Sequence, residues 1–214
     1  MNQLILDPGT FRRLDILTRT EAGMPLHVFS WQKGIQCWGR AEQQKVLVLN
    51  VPTPDGYCSE MMYLIDIANR IDMDQFVKKS SHPWLDNGEI PLEKVYEWLV
   101  WHEIAHVKFG DMNAWEHFKK KGFQLAWREH LKWCTELRAD RYAWGKIAPG
   151  KEMPSFSKTR ESREAVKKFD ATLKKYRNDF ELLRRDRITP ISTNPNEYVP
   201  WFHSEGLPFV QTVN

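Results

Sequence analysis

Cysteine is scarce. Cys37, Cys58 and Cys134 are odd in number and scattered over 214 residues, which excludes a disulfide framework and points to reduced thiols in a cytoplasmic protein. Long apolar runs are also missing, so no membrane-spanning helix is expected. The opening MNQLILDPGTFRRLD meets a proline and a glycine within nine residues, which argues against a secretory leader. Charge of one sign is weak overall: the formal net charge of +3 does not by itself argue for a nucleic-acid partner. No internal repeat or low-complexity tract is found. What the chain does have is ordinary globular composition, 42% hydrophobic and 28% charged, and enough length for one domain with a real core. Its ten tryptophans suit a packed domain and equally an aromatic-lined groove.

Patterning divides the chain. FRRLDILTR reads as one short helix. LHVFSW, GIQCWGR and KVLVLNV are rich in β-branched and aromatic residues and predict three short antiparallel strands over residues 26–51. VPTPDGY then closes the sheet, with two prolines and an Asp-Gly pair. From Ser59 the spacing predicts helix through SEMMYLIDIANRID. Pro91 starts a helix at about 91–110, a second stretch ends at Gly122, and a third runs over about 123–148 before APG. The fold class expected is α+β, mostly helical with a small N-terminal antiparallel sheet: a core over 1–150, then a basic heptad-patterned helix and an aromatic tail over 151–214.

The chemistry lies in LVWHEIAHVKFGD. His102 and His106 stand four apart, hence on one helical face, and can hand their nitrogens to one ion. Glu103, next to the first histidine, can reach a water at that ion without ligating it. On its own the motif leaves two readings open, a zinc site with its base or two core histidines. A downstream helix carries Glu136 and, four residues on, Asp140. Glu136 can complete the three protein ligands that catalytic zinc needs. Asp140 can accept the free ring N–H of a ligating histidine.

HEIAHVKFGD followed by ELRADRYAWGKIAP resembles the ImmA/IrrE-type zinc metallopeptidases over residues 92–149, with Glu136, Ala139, Asp140, Tyr142, Ala143 and Pro149 at the family's positions. The resemblance implies a zincin-like gluzincin fold, zinc as cofactor, and a regulatory protein such as a helix-turn-helix repressor as substrate. The family passes from sheet to zinc helix almost directly, whereas residues 52–90 intervene here, and no helix-turn-helix segment is evident. Zinc held by His102, His106 and Glu136, with Glu103 as general base, would cleave a peptide bond. Tyr142, His203 and His27 are candidates to stabilise an oxyanion, although a structural role suits each as well. His82, His117 and His130 read as surface residues.

Val166, Phe169, Leu173, Tyr176, Phe180 and Leu183 form an apolar seam in a segment where twelve basic residues face seven acidic ones between 151 and 190. The seam suits a solvated helix packed on the body, or a partner-binding or nucleic-acid-facing helix. Three alternatives to a plain peptidase therefore remain: a DNA-associated zinc protease, a zinc-containing binding or inhibitor protein, and an enzyme autoinhibited by YVPWFHSEG.

Overall fold

The computed structural model describes residues 3–29, 38–53, 56–78, 84–154 and 160–184, with the backbone alone for residue 40 and for 42–53 and 56–64. His82, Cys37, the end of the seam segment and the tail with His203 lie outside the described residues.

The chain enters through a short strand, β1 (Gln3–Ile5), and then α1 (Pro8–Ala22). The Asp7 carboxylate accepts the N–H groups of Gly9 and Thr10 at 2.9 and 3.0 Å, Pro8 fills the first turn, and Gly23 ends the helix in the left-handed region. Asp15 ties this helix to the sheet. It is buried, pairs with Arg19 at 2.6 Å and accepts the Leu26 N–H at 2.8 Å.

Three strands form the main sheet, in the order β2 (Leu26–Phe29), β4 (Gly56–Ala68), β3 (Gly39–Thr53). β3 runs antiparallel to β4, but β2 runs parallel to it, so the sheet is mixed and reaches beyond the 26–51 expected. The helix expected from Ser59 is instead the central strand. The cause is burial on both faces: Ile65, Asp66, Ile67 and Ala68 are all fully buried, as in a central strand paired on both edges. Likewise the Asp-Gly stretch does not close the sheet. Pro52 pairs with Tyr57 and Thr53 with Gly56, so Gly56 already belongs to β4 and the sheet continues past this stretch. A separate pair joins β1 to β5 (Arg70–Asp72).

After α2 (Met73–Lys78), the turn Leu92–Lys94 leads into α3 (Val95–Lys108), then α4 (Ala114–Lys120) and α5 (Leu125–Ile147). α3 is the central helix. Val95, Leu99, Val100, Trp101, Ile104 and Val107 are buried around its whole circumference, between α1, β3 and α5. The seam segment is two helices, α6 (Arg160–Lys175) and α7 (Arg177–Leu183), parting at Tyr176. Val166 and Phe169 pack on the main core, while Leu173, Tyr176, Phe180 and Leu183 form a second cluster with Ala114, Phe118 and Leu131. The seam therefore lies on the body, its basic residues outward. The architecture is α+β and mostly helical, and among the described residues no helix is long and apolar enough to cross a membrane.

Candidate metal centre

α3 presents His102 and His106 one turn apart, their ring centroids 4.8 Å from each other. α5 packs along α3 and brings Glu136 to the same point. Three electron-pair donors converge there. His102 Nε2 stands 3.0 Å from His106 Nε2 and 3.2 Å from Glu136 Oε2, and His106 Nε2 stands 3.7 Å from that oxygen. Ligands of a tetrahedral zinc at about 2.0–2.1 Å are themselves about 3.3–3.5 Å apart, so this triangle has the size that the ion requires. Among the described residues this is the group of histidine, cysteine and carboxylate side chains able to hold a metal.

The opposite ring atoms are fixed. His102 Nδ1 lies 2.8 Å from Asp140 Oδ1, and His106 Nδ1 lies 3.0 Å from Asp111 Oδ2. With each Nδ1–H donated to a carboxylate, both Nε2 atoms are left to bind protons or a cation. Asp140 is fully buried, and its second oxygen accepts the Trp84 Nε1–H at 2.8 Å. Asp111 also binds the Arg138 guanidinium, which lies 4.5 Å from the rings of both Phe109 and Phe180. Each histidine is thus oriented by a carboxylate that is itself held in place.

The local charge suits a cation. Burial disfavours a charged His102, but hydrogen bonds to Asp140 and Glu136 outweigh it and hold the imidazole well above its ordinary pKa. Burial opposes charge on His106 as well, yet Asp111 and Glu136 lift it to about 9. For Glu136, burial would raise the carboxyl, but the two imidazoles hold it far below the usual carboxylate range. In the metal-free protein at neutral pH this cluster therefore carries protons that a divalent cation must displace. Zinc loading near pH 7 should release protons, seen as a calorimetric heat that scales with the ionisation enthalpy of the buffer, and affinity should rise as pH approaches about 9. A buffer-independent heat would contradict this.

Glu103 is 6% exposed and lies under the start of β3. A Cβ on Gly39 would stand 3.0 Å from Glu103 Oε1, so a larger residue here would press on that carboxylate. The Ala41 N–H donates to the same carboxylate. Burial pushes the Glu103 carboxyl up, against the pull of the two imidazoles, which suits a proton acceptor working near neutrality.

Not every candidate gathers here. The Tyr142 ring packs on Trp101 and Phe109 beside Lys108 and Lys146, in the helix interface. His27 bonds Asp66 at 2.9 Å, and the pair occupies the register positions beside Arg40. Gly39 and Ala41 meet Glu103, so by strand alternation His27 belongs to the opposite sheet face. His117 and His130 are half-buried rather than surface residues. They bond Asp179 and Thr172 at 3.0 and 2.9 Å and pin the C-terminal helices.

Three contributors were not foreseen: Asp111, Trp84 and Gly39. Asp111 had a signal, because an acidic residue directly after a helix-ending glycine can turn back toward the last turn. In Asp111→Asn, His106 should lose its charged acceptor and zinc affinity should fall about 10–100-fold in a chelator competition. Unchanged affinity would show that Asp111 serves packing alone. The chain matches no family model, no curated protein and no solved structure.

Proposed function

We propose that this protein is a zinc metallopeptidase of the ImmA/IrrE kind with a zincin-like core. The observation that carries the reading is the convergence of His102 Nε2, His106 Nε2 and Glu136 Oε2 beside a buried glutamate, Glu103. Two imidazoles and a carboxylate favour zinc and leave a fourth position open. When bound, zinc supplies Lewis acidity to a peptide carbonyl and to the attacking water.

This chain's residues do the rest. Glu103 takes the proton of the attacking water and passes it to the leaving amine. Asp140 and Asp111 keep both imidazoles aimed inward. β3, which among the described residues pairs with β4 alone and is tied to Glu103 by the Ala41 N–H, runs beside the metal group, and an extended peptide can add along it as a strand. The motif's resemblance points to a regulatory protein such as a repressor as substrate, and the scattered cysteines suit the cytoplasm. Cys134 is a buried thiol, raised to about 12 by burial, and so unreactive.

A comparison of cellular proteomes with wild type and Glu103→Gln tests the reading. The variant should accumulate one or a few intact proteins whose fragments appear with the wild type. If the variant keeps full biological effect with no such difference, the protein acts by binding and not by cleavage.

A further inference from the structure

A cavity of about 150 Å³ opens between α4 and α5. Two of its lining residues join it to the metal group: Asp111 orients His106, and Thr135 directly precedes Glu136. Lys132, one helical turn before Glu136, is exposed at its rim. A space of this size accepts one small side chain.

The walls are apolar, from Trp115, Phe118 and Leu131, but the charge is one-sided. Both Asp111 oxygens are engaged, one by His106 and the other by Arg138. Arg128 and Lys132 remain, and among the described residues no carboxylate pairs with either. Arg128 lies 4.4 Å from the Trp115 ring centre, and its Nε is buried without a hydrogen-bond acceptor. An apolar occupant would desolvate the guanidinium charge further, and a basic occupant would be repelled. A carboxylate instead balances the Arg128 and Lys132 charges through charge-assisted hydrogen bonds to their outer N–H groups.

We infer that this cavity receives a substrate carboxylate, the side chain of an acidic residue near the scissile bond, seated on Arg128 with Lys132 beside it. The inference rests on the peptidase reading and gives it a substrate class. A free peptide C-terminus offers the same chemistry, so the test separates the two sources.

Zinc-loaded Glu103→Gln protein is titrated with capped peptides carrying Glu, Gln or Leu at one position, and with the Gln peptide bearing a free C-terminus. The Glu peptide should bind about tenfold tighter than the Gln and Leu peptides. Added Arg128→Gln should erase that preference, and Lys132→Gln, an exposed change with little risk to folding, should reduce it. A gain for the free-terminus peptide instead would keep the carboxylate and move its source to the chain end. Equal binding of all four peptides, or a preference untouched by both substitutions, overturns the inference. Wild-type protein is incubated with the same peptides in parallel. Selective binding without hydrolysis would sink the peptidase reading alone, and hydrolysis without selectivity would sink the cavity's role alone.

Discussion

Glu103→Gln should retain one zinc per chain at wild-type affinity while kcat/KM for peptide cleavage falls at least about a hundredfold. The separation of the two effects follows from the geometry. Glu103 is not among the three atoms that converge on the metal position, so ligation survives. Glutamine has nearly the same shape, fits beneath Gly39, and can still accept the Ala41 N–H through its carbonyl oxygen. What it cannot do is take a proton. Loss of zinc in this variant would mean that Glu103 shapes the ligand set. Full activity would mean that the base lies elsewhere.

The second large effect is structural and falls on Gly110. Its φ of 72° lies in the left-handed region, where a side chain costs about 1 kcal/mol. A Cβ there would also fall within the contact radius of the Leu183 carbonyl, at the end of α7. Backbone cannot swing aside as a side chain can, so either α7 lifts or Gly110 shifts. A shift at Gly110 would carry Asp111 away from His106. Gly110→Ala should therefore cost about 2–4 kcal/mol in denaturant unfolding and weaken zinc binding about tenfold or more. Gly122→Ala is the control: its φ is 82° but nothing lies within 4 Å, so only the backbone cost should appear. Equal effects at both positions would remove any special role for the α7 contact.

The two helices of the site were legible because their message is local. Spacings of four along α3 and α5 place His102 with His106 and Glu136 with Asp140, whatever surrounds them. Contributors that depend on the path of the chain were harder to read. Asp111 reaches His106 only because Gly110 turns left-handed. Trp84 arrives from a loop 56 residues upstream of Asp140. Gly39 matters through a close approach between sheet and helix that no spacing reveals. Tyr142 misled because the motif places it about one and two-thirds helical turns beyond Glu136, a rotation that sends it toward Trp101 and not toward the metal ligands. In the fold, the seam residues found the body as their pattern allowed. SEMMYLIDIANRID was harder, since its apolar residues fit a helical face as well as a strand buried on both faces, and pairing with two other strands decided the outcome.

X-ray absorption at the zinc edge, on protein loaded with one equivalent of zinc, tests the metal centre most directly. The result predicted is a shell of nitrogen and oxygen at about 2.0–2.2 Å with the outer scattering of two imidazoles, reduced to one imidazole in His106→Ala. A sulfur shell at about 2.3 Å, or a spectrum unchanged by that substitution, would contradict it.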